Sequence, residues 1–268
     1  MRVTSLHTYA IKGCYRTDRQ SATVEPWGLA GDRRFMIVDA SHRMLTQREE
    51  PSLVRIQPTA DGDTLTLRAD GHHELVVDVV AGELVDTNVH SDRLKGALVS
   101  ESADAWVSSV IGRAAHLVWL DDPTRRPVEK PYAQPGDTVT FADGYPLLVA
   151  NEASLHALND WLIEEQSPEW PLPMTRFRPN VVVGGGTAWA EDDWIGRRIR
   201  IGNVTFRAPK PCDRCVVTTT DQDTGARGRE PLRTLSRHRN VNQGLRFAMN
   251  LIPDETGVIA VGDDVTLV

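Results

Sequence analysis

Cys212 and Cys215 stand three positions apart in "APKPCDRCVVTTTDQDTG", residues 208 to 225, and a β-branched run follows them at once. A thiolate is both a nucleophile and a soft-metal ligand, so the pair raises four chemistries: a structural zinc site, a dithiol redox centre, a reduced core pair, or a single ligand to a metal. A closed zinc site needs four nitrogen or sulfur ligands, usually from a second C-x-x-C or an H-x-x-x-H type pair. Cys14 is distant, and the histidines at 7, 42, 72, 73, 90, 116, 156 and 238 form no such pair; His72-His73 falls in a predicted, solvated hairpin turn. A thioredoxin-type centre places its first cysteine at a helix N-terminus, whereas "CVVTTTD" reads as a strand. Two readings stay open. Reduced cysteines packed beside a barrel strand fit the strong tendency of free cysteine to be buried. A lone thiolate donated to an exogenous metal cofactor fits equally, provided the cofactor brings its other ligands.

Such a cofactor is anionic, and the chain holds basic strings that suit it. "MTRFRPNVVVGGG" presents Arg176, Arg178 and Asn180 just before a strand, with Pro179 stiffening the turn. Arginine recognises phosphate through two parallel hydrogen bonds, and an asparagine amide donates and accepts toward a heterocycle edge. "GLAGDRRFMIVD" sets Arg33 and Arg34 at a strand start after two glycines, and "YAIKGC" sets Lys12 beside Gly13, where backbone can approach a ligand closely. The bland alternative for each is a solvated basic side chain beside an edge strand. Glycines 184 to 186 follow a strand without the G-K-[ST] ending of a phosphate loop and are assigned no ligand.

The elements that must position these residues are mostly short strands. Period-two alternation marks "RRFMIVDA", "TLTLRADGHHELVVDVV" with a turn at Asp70-Gly71, "RRIRIGNVTFRA", and "VIAVGDDVTLV" turning at Gly262-Asp263. This spacing favours barrels or sandwiches. Two helices stand out: one capped by Ser102 over "ADAWVSSVI" and ending at Gly112, the other capped by Asn151 over "EASLHALNDWLIEE". Proline and charge concentrate in residues 121 to 137, the expected linker between two units.

Composition bounds the function classes. With 268 residues, 40% hydrophobic and 25% charged, the chain can bury a sizeable core, and a formal net charge of -7 leaves no overall basic field for nucleic acid. The first twenty residues lack the apolar region and cleavage site of a secretory signal, no segment has the ~20 apolar residues of a membrane span, and three cysteines suit reduced thiols. A cytoplasmic location, with no nucleic-acid or membrane partner, is expected.

Taken in order, "YAIKGC", "GLAGDRRFMIVD", "LTQREEPSLVRI", "NEASLHALND", "MTRFRPNVVV", "CDRCVVTTTDQDTG" and "VGDDVTL" resemble the MOSC superfamily. More narrowly, they resemble its two-part proteins, the group that includes the amidoxime-reducing components. The resemblance implies a mainly β fold with a few helices (α+β): an N-terminal β-barrel-like domain over residues 1–120, then a MOSC β-barrel domain over 121–268. It also implies a pyranopterin molybdenum cofactor (molybdenum-molybdopterin) between the two, with Cys215 as metal ligand and catalytic centre. Lys12, Gly13, Arg33, Ser154, Arg178, Asn180 and Arg214 would be the other cofactor contacts. Gly13 departs from the serine of the amidoxime-reducing group, so only backbone contact is expected there. The implied activity is reduction of small N-hydroxylated compounds, amidoximes and hydroxylamines, to amidines or amines. With no cysteine after Cys215 to ligate an iron–sulfur cluster and no dinucleotide fingerprint, electrons would come from a separate ferredoxin, flavin or cytochrome partner. Neither an appended cluster domain nor the membrane anchor of eukaryotic relatives is expected. A carrier of molybdenum cofactor or of sulfur on Cys215, without substrate turnover, is the alternative. Asp221 and Asp223 in the D-x-D-T-G turn are expected to bond backbone amides rather than move protons.

Overall fold

The computed structural model describes residues 1–128 and 132–268. The chain opens with β1 (Arg2–Thr8), β2 (Thr17–Arg19), β3 (Ser21–Glu25), β4 (Gly28–Leu29) and β5 (Phe35–Asp39). Next come β6 (Gln57–Asp61), β7 (Thr64–Arg68), β8 (Leu75–Asp78), β9 (Leu84–Val89), β10 (Asp92–Leu98), α1 (Glu101–Ile111) and β11 (Ala115–Trp119). The second half begins β12 (Leu147–Asn151), α2 (Glu152–Glu164), β13 (Val181–Gly184), β14 (Arg198–Ile201), β15 (Val204–Arg207) and β16 (Pro211–Asp213). It ends α3 (Leu232–His238), β17 (Asn240–Val241), β18 (Gly244–Pro253), β19 (Gly257–Ala260) and β20 (Val265–Leu267).

The first half builds two curled sheets, β5-β11-β10-β9 and β6-β7-β8. Between them and α1 lies a core that includes Ile11, Cys14, Ile37, Leu53, Leu65, Trp106 and Leu117. The second half builds a long sheet in the order β2-β1-β13-β12-β18-β15-β14-β20 around Leu6, Val149, Val181, Trp194, Phe206 and Met249. The β12–β13 pair is parallel with α2 as its crossover, so both strands are covered on two faces. That is why "VVVG" of β13 is buried at every position instead of alternating. The protein is thus mainly β with a few helices, as expected. Among the described residues, no helix is long and apolar enough to cross a membrane.

Four expectations need correction or refinement. The α1 cap is Ser100, not Ser102: Ser100 is extended and accepts from the Ala103 N–H, while Ser102 already lies within the helix and bonds the Ser100 hydroxyl. Asn151 caps α2 and Gly112 closes α1 in the left-handed conformation, both as expected. Gly262 does turn the chain, but its flanking strands do not pair with each other; β19 joins β3 and β20 joins β14. Strand pairing also crosses the expected boundary at residue 120, since β1 and β2 belong to the second half's sheet, and β3 and β4 form a sheet with β19. Finally, the 121–137 segment is anchored rather than free. Its Arg126 is buried, donating to the carbonyls of Ala142 at 2.5 Å and Asp143 at 3.0 Å and to the Asp92 carboxylate at 3.0 Å. Residues 129–131 of that segment lie outside the described residues.

Candidate functional site

A cleft with about 930 Å³ of empty space, counted out to its solvent mouth, opens between the two halves. Its walls include Lys12, Gly13, Arg33, Arg178, Asn180, Arg214 and Cys215, but also Cys212, so both cysteines of the pair reach the same space. "VVTT" after Cys215 is a 3₁₀ turn, Val216–Thr219, not the strand its β-branched residues suggest. Local side-chain bonds override β propensity: the Thr218 and Thr219 hydroxyls donate back three residues, to the carbonyls of Cys215 and Val216, each at 2.8 Å. Buried Arg176 then clamps the turn's exit, donating to the Thr219 carbonyl at 2.8 Å. Arg176 therefore fixes the cysteine turn from behind and does not line the cleft.

Arg33 and Arg178 both lie over the Tyr9 ring, with guanidinium carbons 4.5 and 4.2 Å from its centroid. Arg33 is neutralised by Asp32 at 2.6 Å. Arg178 has no carboxylate within ion-pair distance among the described residues; its Nη1 donates to Gln222 Oε1 at 2.7 Å and its buried Nη2 has no partner. Burial lowers the Arg178 pKa to about 10, with Arg33 adding repulsion. Asn180 is wholly buried and its amide is already committed: Oδ1 accepts from Arg33 and from the Leu148 N–H, each at 3.2 Å, and Nδ2 donates to the His7 carbonyl at 3.2 Å. It staples β1, β12 and β13 behind the arginine pair.

Lys12 donates to Asp143 Oδ1 at 2.5 Å and to the Phe141 carbonyl at 2.7 Å. Burial pulls its pKa below the ordinary lysine value against the pull of Asp143. Gly13 has φ +82°, and its carbonyl accepts from Gln47 Nε2 at 2.7 Å. The left-handed conformation accounts for glycine at this position. Arg214 donates to Cys212 Sγ at 2.8 Å and to the Phe177 carbonyl at 2.7 Å, leaving a buried Nε without a partner. Arg34 lies outside the cleft, spending its guanidinium on the Leu120 and Asp121 carbonyls beside Trp27 and Trp119.

Sequence reasoning assigned no role to several cleft residues. Arg48 Nη2 lies 3.3 Å from Cys215 Sγ, and no carboxylate pairs with it among the described residues. Gln47 and Gln222 exchange amide hydrogen bonds at 3.0 and 3.1 Å, joining the first half to the loop after the cysteine turn. Arg227 donates to the backbone carbonyls of Gln47 and Arg48, fastening that segment over the cleft. Asp143 and His90 stand together at the mouth. Arg48 sits inside "LTQREEPSLVRI", whose charge alone carries no direction, and the glutamine pair is visible only after folding. The D-x-D-T-G aspartates behave as expected: Asp221 accepts from the N–H groups of Asp223 and Thr224, while Asp223 accepts from the Tyr15 hydroxyl.

Ser154 is the sequence-predicted contact that the fold sends elsewhere. It is fully buried in the first turn of α2, donates to Glu191 Oε2 at 2.9 Å and accepts from the Trp189 N–H at 2.8 Å. Its position in the helix start is right, but that turn points away from the cleft, into the packing around Glu191. Burial raises the Glu191 pKa above its ordinary 4.5, and Oε1 has no partner. A carboxyl raised on folding destabilises the native state when ionised and is neutral in effect once protonated. Glu191→Gln is therefore expected to raise stability by about 1–3 kcal/mol at neutral pH. In urea titrations at several pH values, that advantage should shrink as pH falls through the folded-state pKa and vanish below about 4.5.

Residues 1–114 match the MOSC N-terminal beta barrel domain and residues 136–266 the MOSC domain. The chain is 32% identical over 286 residues to the mitochondrial amidoxime-reducing component 1 of Homo sapiens, covering 99% of this chain and 82% of that protein. The Mus musculus protein of the same name is 33% identical over 285 residues, with the same coverage. The molybdenum cofactor sulfurase of Homo sapiens is 29% identical over 267 residues, covering 93% of this chain and 30% of that protein. With both domain models matched in order and full-length similarity of this degree, the chain belongs to the two-part MOSC family that includes the mitochondrial amidoxime-reducing components.

Proposed function

We propose that the protein is a molybdenum cofactor-dependent oxidoreductase that reduces N-hydroxylated compounds, with Cys215 as the metal ligand. The observation that carries the cofactor is a cleft beside a cysteine whose wall holds a buried, unpaired Arg178 guanidinium. A buried cation without a counterion is costly, and an anionic ligand offsets that cost. Lys12, Arg33, Arg178 and Arg214, with the Gly13 backbone, would hold its phosphate and pterin; Asn180 would act by holding Arg33 in place. Among the described residues, no cluster of three or more metal-ligating side chains exists, so a metal here must arrive with ligands of its own. Bound there, the cofactor would supply a two-electron redox change, chemistry that side chains lack.

The amidoxime-reducing names of the relatives support the substrate class. The electrons would come from a separate ferredoxin, flavin or cytochrome-type protein, and a cytoplasmic location is part of the same proposal. A second reading, a cofactor or sulfur carrier, is supported by the sulfurase similarity, which spans nearly the whole chain. Protein made in a host that synthesises the cofactor is expected to contain near-stoichiometric molybdenum and to reduce benzamidoxime with a chemical electron donor. Molybdenum without turnover favours the carrier; protein that takes up no molybdenum overturns both.

A further inference from the structure

We propose that His90 is the proton donor of this cleft, presented on a strained turn and oriented by Asp143. This inference rests on the reductase reading above. His90 and Ser91 form the two-residue connection between β9 and β10, which pair through Val89 and Asp92. His90 takes φ +52°, in the first central position of a tight hairpin, where left-handed backbone favours glycine. Glycine would adopt this backbone more readily, and histidine instead sets an imidazole at the cleft. That ring lines the cleft, about one-third exposed, with Nε2 3.1 Å from Asp143 Oδ1.

An ionised carboxylate only accepts, so Nε2 must carry hydrogen and Nδ1 is left to exchange a proton with the cleft or with solvent. Partial desolvation would raise the Asp143 pKa, but Lys12 and the His90 bond hold it well below the ordinary carboxylate range, on a side chain that is 70% exposed. Asp143 therefore stays anionic and accepts from Nε2–H, which orients the ring. The other charged or titratable groups around this pair include Lys12, bonded to the same oxygen, Arg126, which bonds the Asp143 carbonyl and the Asp92 carboxylate, and Arg33 and Cys212, which feel the Asp143 charge.

The chemistry needs such a group. Reduction of R–NH–OH takes two electrons from the external donor and two protons: the N–O bond breaks, His90 protonates the departing oxygen to give water, and solvent supplies the amine proton and reprotonates His90. Positioned proton donors of this kind contribute about 10²–10⁴-fold.

The test compares wild type, His90→Gln and Asp143→Asn as molybdenum-loaded proteins, measuring metal content, kcat and KM for benzamidoxime against pH. In parallel, the tautomer of the His90 ring is read by NMR in cofactor-free wild type and Asp143→Asn. His90→Gln should keep its molybdenum, lose about 100-fold in kcat with KM little changed, and lose the decline of kcat with rising pH. Asp143→Asn should lower kcat with KM little changed and move the ring away from the Nε2–H tautomer. Loaded wild type that reduces no N-hydroxylated compound sinks the reductase reading and this inference with it. A working wild type matched by His90→Gln in kcat and pH profile, or a ring tautomer indifferent to Asp143→Asn, overturns this inference alone.

Discussion

Cys215→Ser is expected to abolish turnover of benzamidoxime, a loss of about 100-fold or more, or roughly 3 kcal/mol of transition-state stabilisation. X-ray absorption at molybdenum should show one sulfur fewer. Cys212→Ser should keep most of the activity and an unchanged sulfur count. The asymmetry follows from how the fold treats its thiols. Cys14 lies in the first core, where burial pushes its pKa up to about 12. Burial also raises the Cys212 pKa, against the opposing charge of Arg214. Both are held toward the protonated form, and a thiol is a poor ligand. Cys215 instead opens the 3₁₀ turn, its carbonyl fixed by the Thr218 N–H and hydroxyl and its sulfur met by Arg48. Arg176 holds the far end of the turn, so the sulfur is presented from a braced backbone. Because Cys212 also lines the cleft, what sets Cys215 apart is the bracing of its turn rather than direction. Equal loss from both substitutions, or a Cys212–Cys215 disulfide in active protein, would return the pair to a redox role.

How much of this was legible before folding depends on the range of the interaction involved. The α2 cap and the Gly112 stop were readable because each needs only a neighbour or two. The convergence of Lys12, Gly13, Arg33, Arg178, Arg214 and Cys215 on one cleft was visible as a resemblance of strings, not as a consequence of spacing; β1 pairing with β13 brings the Lys12 and Arg178 strings together. The "VVTT" turn was misread because β-branched residues favour strands in general, and two threonine hydroxyls here spend their bonds on local carbonyls instead. Ser154 was placed correctly in its helix and wrongly in space, since a helix position fixes a residue's height but not what its first turn packs against. Arg48, His90 and the Gln47–Gln222 pair depend on partners 53 to 175 residues away, and no local pattern reports such a distance.

Arg178→Met should make the protein unable to retain its cofactor under limiting supply, with apparent affinity lower by about 10–100-fold, as expected for losing a hydrogen bond to a charged group. In the ligand-free protein, folding lowers this guanidinium's pKa to about 10, a penalty on the order of 3 kcal/mol. Because a base lowered on folding is penalised while it stays charged, the penalty is present at every pH below about 10 and relaxes only as pH rises beyond it. An anion that reaches the unpaired Nη2 removes that penalty and is bound correspondingly more tightly. Inorganic pyrophosphate should therefore raise the thermal midpoint of cofactor-free wild type and leave Arg178→Met unmoved. Methionine keeps an unbranched apolar chain over the Tyr9 ring and removes the unpaired charge, so the variant is expected to fold. Identical pyrophosphate shifts in the two proteins would show that the anion binds without Arg178 and would move the cradle to Arg48 and Arg214, the remaining cleft arginines without a carboxylate partner among the described residues.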